Sequence, residues 1–200
     1  MTAKALFATF DVSRQVFYRT SLSMGIVNLK PLLPGHVLIV PKRVVPRLAD
    51  LNSNEVTDLF LAVQHVGKVL EGVYKAKALT VSLQDGAVAG QSVPHVHIHI
   101  IPRHPEDYEG ENDRIYPALE QSEAQLRDDL TSTAASATAN GINGSSSSEP
   151  ISMNGAARAG NGNGVDERNN SRSRWPKDED RKPRTIEEME KEADWLASFF

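Results

Sequence analysis

Cysteine is absent from this 200-residue chain, which excludes disulfides and thiolate metal sites. Positive charge is in deficit: 22 Lys and Arg stand against 26 Asp and Glu, a formal net charge of -4. A nucleic-acid partner is therefore not expected, because such partners are met by a basic face. No apolar run approaches the ~18 residues of a membrane span. The opening MTAKALFATFDVSRQ has no apolar stretch of the secretory kind. These absences predict a soluble cytoplasmic protein, with the nucleus also open to it, and no membrane partner. Without a secretory route, the glycosylation patterns at Asn143 and Asn169 read as chance. Histidine is scarce too, but four of the six fall between Gln91 and His104, in QSVPHVHIHIIPRH.

Large apolar residues are also missing between Thr131 and Arg174, where Gly, Ser, Ala and Asn dominate. Only Ile142, Ile151, Met153 and Val165 are large and apolar there. Such a stretch buries too little surface to offset its ordering entropy, so residues 131–174 are predicted to be a disordered, low-complexity insertion. Residues 1–130 are predicted to form one domain. Within residues 175–200, Thr185 and Glu188 form a capping box, and Ile186, Met189, Ala193, Leu196 and Phe200 share one helical face. That helix is expected to dock on the domain.

The stretches ALFATF, RQVFYRT, MGIVNL and GHVLIVP read as strands, as do ALTVSLQ and PHVHIHII. Between them, Asn52 and Glu55 begin a helix whose apolar face runs through Leu59, Val63, Val66 and Leu70. Short connections favour antiparallel pairing. The expected class is α+β, an antiparallel sheet of about five strands with one long helix and a C-terminal helix.

On a strand, alternation places Val96, Ile98 and Ile100 on one face and His95, His97 and His99 on the other. Three crowded imidazoles repel one another when protonated, so some must remain neutral near pH 7. Neutral imidazoles bind metals or act as nucleophiles and acid–base groups. Against metal stands the lack of any acidic residue between Asp85 and Glu106, so no metal ligand is assigned. For phosphoryl chemistry, an imidazole attacks phosphorus while neutral donors and backbone N–H groups hold the oxygens. Gly86, Gly90, Gln84, Gln91 and Ser92 supply groups of that type, although Gly86 equally fits a plain turn.

HVHIHII has the His-x-His-x-His pattern of the histidine triad family. SMGIVNLKPLLPGHVLIVPKR, VSLQDGAVAGQSVPHVHIHIIPRH and NDRIYPALE together resemble its fragile-histidine-triad branch. That resemblance implies the HIT-like fold and hydrolysis of dinucleoside polyphosphates, above all diadenosine triphosphate to AMP and ADP. It implies His97 as the nucleophile that forms a nucleotidyl-histidine, with His99 on the leaving oxygen and His95 and His36 orienting the nucleophile. Gln84 and the backbone of Gly90, Gln91, Ser92 and Val93 would hold phosphate oxygens. Asn28 would bind the ribose and Ile26, Val27 and Leu38 would wall the adenine, though turn formation and ordinary core packing explain these four as well. His36 after Pro34-Gly35, and Tyr116 at the family's regulatory tyrosine, also have plain turn or surface readings. The resemblance further implies a homodimer and Mg²⁺ or Mn²⁺ arriving with the polyphosphate, with no tightly bound cofactor. Two alternatives stand beside hydrolysis: a nucleotide sensor whose substrate complex signals, and a nucleoside phosphoramidase of the same family.

Overall fold

The computed structural model describes residues 4–140 and 181–200. A small hairpin, β1 (Leu6–Phe7) and β2 (Phe10–Asp11), precedes β3 (Val16–Arg19), β4 (Ser23–Val27) and β5 (Val37–Pro41). Helix α1 (Ser53–Tyr74) leads into β6 (Ala78–Ser82) and β7 (Ile98–Arg103). Helices α2 (Ile115–Asn140) and α3 (Ile186–Ala197) complete the described chain. The last five strands form one antiparallel sheet in the order β3-β4-β5-β7-β6, so the predicted α+β class and strand number hold.

The pleat decides which residues meet which helix. Val27, Val37 and Ile100 are register partners on one face, and Val81 joins them across β7. Leu79, on the same side of β6 as Val81, meets α1 at Gly67, so this face carries α1. Ile26, Leu38 and His99 are register partners on the opposite face. Leu59, Val66 and Leu70 of α1 are fully buried in the main core with Ile39, Ile98 and Ile100. The helix begins at the expected capping box: the Asn52 side chain accepts from the Asn54 and Glu55 amides, and Glu55 accepts from the Asn52 amide.

The turn into β5 needs its glycine. Gly35 has φ 76°, and a Cβ there would lie 2.6 Å from the Tyr74 ring. Only glycine accommodates both the backbone and the close approach, which fixes the entry of His36 into the sheet.

Two sequence expectations change here. The histidine strand begins at Ile98, so His95 and His97 lie in the irregular segment before it, with a bend at His95, held by a Val96 amide donating to the Val45 carbonyl at 2.8 Å. More consequential is α2, a helix that the sequence analysis did not predict. It runs through Thr131, so residues 131–140 belong to a helix; the rest of the predicted insertion, from residue 141, lies outside the described residues. Ile115, Ala118, Leu119, Leu126 and Leu130 are buried at helical spacing, and Pro117 is tolerated in the first turn. The first three join Leu32, Leu33 and Ile101 in a separate apolar cluster. Beyond Leu130 the Ser- and Thr-rich composition misleads, because those hydroxyls donate back to carbonyls one turn earlier. Thr131 donates to Arg127, Ser132 to Asp128 and Thr133 to Asp129.

Candidate active site

His95, His97, His99 and His36 are all buried, at 2% exposure or less. Their hydrogen bonds fix which nitrogen of each ring carries the proton. The Ala8 amide donates to His95 Nδ1 at 2.9 Å, so Nε2 carries the proton and donates to the Pro41 carbonyl, also at 2.9 Å. His97 Nδ1 donates to the His95 carbonyl at 2.7 Å, which leaves Nε2 as the nitrogen with the reactive lone pair. The Leu32 amide donates to His36 Nδ1 at 3.2 Å; His36 Nε2 then donates to His99 Nδ1 at 2.9 Å. His99 is left with its proton on Nε2. Both Nε2 atoms, of His97 and of His99, are aimed at the same small volume.

That volume holds a group that sequence reasoning missed. Glu123, from the middle of α2, is 1% exposed. Its Oε1 lies 3.2 Å from His97 Nε2 and its Oε2 lies 3.5 Å from His99 Nε2. The Ser92 amide and hydroxyl donate to Oε1 at 3.1 and 3.2 Å. Burial alone would raise the Glu123 pKa, but His97 and His99 outweigh it and hold the carboxyl well below the usual carboxylate range. The signal was present in the sequence as a gap: the apolar stripe of α2 skips from Leu119 to Leu126, and Glu123 sits within it. The expectation that no carboxylate approaches the histidine face is thereby corrected. His97, His99 and Glu123 offer three buried ligand atoms within 4.8 Å of one another, a donor set of the kind a divalent cation accepts.

The other predicted residues divide. Gln84 Oε1 is buried without a hydrogen-bond partner, and Gly90 lies against the Gln84 side chain. Gln91 instead ties the loop together, accepting from the Gly86 amide at 2.8 Å and donating to the Pro46 carbonyl at 3.0 Å. Val93 is fully buried, and its carbonyl accepts from the His95 amide. The Asn28 amide nitrogen lies 3.2 Å from His36 Nε2. Ile26 and Leu38 share the His99 face, whereas Val27 points to the opposite, α1-bearing face, because adjacent residues on a strand alternate. Val27 is thus a core residue and not a wall of this site. His36 also differs from expectation: it meets His99, and the backbone carbonyl of His95 orients His97. Phe7, not anticipated, covers His95 and His97 with ring centroids at 5.5 and 5.3 Å.

Burial pushes His95 down to about 4, its bond to Pro41 opposing and the His97 charge adding; burial likewise lowers His36 and His99. Each folded value lies below its unfolded one, so the unfolded chain binds the extra proton first. The stability tied to His95 is whole above about pH 6.5 and is lost as pH falls toward about 4, a span worth ~3 kcal/mol. Urea midpoints at pH 7.5 and 5 should therefore differ, and His95→Gln should narrow that difference while lowering stability at pH 7.5. An unchanged difference would relieve His95 of this role.

This is an α+β protein in which a buried imidazole cluster converges on a carboxylate, beside a backbone amide and a hydroxyl. The chain belongs to the HIT family. Residues 9–106 match the family model described as HIT domain. A relative from Schizosaccharomyces pombe named bis(5'-nucleosyl)-tetraphosphatase [asymmetrical] is 47% identical over 200 residues, covering 100% of this chain and 96% of its own. The Arabidopsis thaliana bifunctional bis(5'-adenosyl)-triphosphatase/adenylylsulfatase FHIT is 54% identical over 117 residues, 58% of this chain and 64% of that one. Among solved structures, Plasmodium falciparum diadenosine triphosphate hydrolase in complex with Cyclomarin A matches with a TM-score of 0.52 at 32% identity, covering 68% of this chain and 87% of that one. The Caenorhabditis elegans NitFhit protein matches with a TM-score of 0.52 at 42% identity, covering 63% of this chain and 31% of that one.

Proposed function

We propose that this protein hydrolyses dinucleoside polyphosphates, above all diadenosine triphosphate to AMP and ADP, through a nucleotidyl-histidine on His97. One observation carries this reading. Three donors suited to phosphate oxygens, His99 Nε2 and the amide and hydroxyl of Ser92, and the nucleophilic His97 Nε2 converge on one carboxylate. His97 Nε2 attacks the α-phosphorus while its Nδ1–H bond to the His95 carbonyl steadies the ring as positive charge develops. His99 donates from Nε2 to the departing phosphate oxygen, and the chain from the Leu32 amide through His36 keeps it in the donating tautomer. Water then cleaves the phosphorus–nitrogen bond. Mg²⁺ or Mn²⁺ enters bound to the polyphosphate and neutralises its charge.

The names of the relatives support both chain lengths of substrate, since the full-length relative is a tetraphosphatase and the Arabidopsis relative a triphosphatase. The test is a panel of diadenosine tri- and tetraphosphate and an adenosine phosphoramidate, with products identified. Fast release of AMP and ADP from the triphosphate is expected; preferential cleavage of the phosphoramidate would overturn the reading. A homodimer is part of the same proposal. Among the described residues no strand pairs with the outer edge of β6, Val81 on it is 48% exposed, and α1 exposes Phe60 and Leu61. Light scattering on the eluted protein checks it. No helix among the described residues is long and apolar enough to cross a membrane.

A further inference from the structure

Glu123 is a group that the proposed reaction does not use, yet it occupies the centre of the site. The Ser92 amide and hydroxyl, which would hold a phosphate oxygen, already hold its carboxylate, and the Nε2 atoms of His97 and His99 lie 3.2 and 3.5 Å from it. With Glu123 in place, His97 Nε2 faces a carboxylate oxygen and has no open path to phosphorus. A structural role is a poor account of this placement. The position belongs to the apolar stripe of α2, where leucine would pack without desolvating a charge, and Glu123 Oε2 is buried with no hydrogen-bond partner.

The chain leading into α2 is built for a change of course. Tyr108, Glu109 and Gly110 follow one another in the left-handed region, with φ of 51°, 60° and 89°. Two of these are not glycine, so this segment is held in a sparsely populated conformation just ahead of the helix. Beyond Glu123, α2 is held down by Leu126 and Leu130 and, at the surface, by Lys30, which donates to Gln125 at 3.0 Å.

We propose that α2 is a gate, and that Glu123 is an internal stand-in for the substrate phosphate. In the closed state its carboxylate fills the phosphate position on His97, His99 and Ser92. The dinucleotide binds only when α2 lifts, so substrate and Glu123 compete for one set of donors. This inference rests on reading the histidine site as a phosphate site. If the closed state prevails, the apparent affinity for any phosphate ligand falls by the closed-to-open ratio, whereas the bound complex reacts at its ordinary rate.

Steady-state kinetics on diadenosine triphosphate, with inhibition by AMP, test the gate in full-length wild type, Glu123→Gln, Glu123→Ala and His97→Ala. Both Glu123 variants are expected to lower KM and the AMP inhibition constant together, by about tenfold or more, with kcat within about threefold of wild type. Unchanged KM and inhibition constant would overturn the gate. So would a kcat loss of about a hundredfold at constant KM, which would make Glu123 a catalytic residue. A second arm uses the chain's lack of cysteine. Lys30→Cys/Gln125→Cys should be active as a free dithiol and lose over about nine-tenths of its rate once a short bismaleimide joins the two positions. Full activity in the crosslinked protein would overturn the gate even if the Glu123 variants were unstable. Normal turnover by His97→Ala would instead sink the phosphate-site reading itself, so the two failures are distinguishable.

Discussion

His97→Ala should abolish turnover of diadenosine triphosphate while leaving nucleotide affinity within about tenfold, ~1.4 kcal/mol. The asymmetry follows from what the ring does. In the proposed reaction its Nε2 forms a bond only as the chemistry proceeds, whereas Ser92 and His99 would hold the phosphate whether or not His97 is present. The vacated space borders Phe7, and the neighbouring rings are anchored independently: His95 by the Ala8 amide and Pro41 carbonyl, His99 by His36. The fold should therefore survive, and a melting curve near that of wild type would separate lost chemistry from lost structure. Turnover within about a factor of ten of wild type would refute the assignment of His97 as nucleophile.

Truncation before Arg181 should have the largest effect on stability. Met189 and Leu196 of α3 are fully buried and Ala193 is 2% exposed, all within the main core. Burial of one such large side chain stabilises by about 1.5–3 kcal/mol, so two of them alone approach the net stability of a small domain. Past the helix, Phe200 packs against Phe17, Tyr18 and His65, with centroids 4.9–5.7 Å apart. Ahead of it, Arg184 donates from its amide to the Leu29 carbonyl and from its guanidinium to the Asn28 carbonyl. The truncated chain would expose an apolar face over β3 and β4 and should aggregate on expression. A milder version, Leu196→Ala, should cost about 2–5 kcal/mol in denaturant melts. A truncated protein that stays soluble and melts cooperatively near wild type would show that α3 is an accessory.

Both expectations draw on features of unequal legibility. The α3 helix could be read from its capping box and stripe, because both are local patterns with helical period. The same holds for α1 and for the alternation that set Ile98 and Ile100 against His97 and His99. Helix α2 escaped because two misleading signals coincided. Its second half is rich in Ser, Thr and Ala, and its stripe is interrupted by the very residue that matters, Glu123. A glutamate in a helix is ordinarily a solvated group, and no local pattern distinguishes one that will be buried.

What the sequence by itself determined about this protein is the α+β class, the order of most elements, and the concentration of imidazoles in one short stretch of chain leading into β7. These follow from periodicity and residue chemistry, which operate over a few residues. Only the tertiary structure decided which nitrogen of each ring is free, because that depends on an amide from Ala8, a carbonyl from Pro41 and an amide from Leu32, brought in from separate elements. It also decided that Val27 belongs to the α1 face, since the side on which a strand residue falls acquires meaning only once the sheet has a helix on it. It alone brought Glu123 to the histidines, 24 residues beyond His99, because the docking of an amphipathic helix is set by the surface that receives it and not by the helix itself.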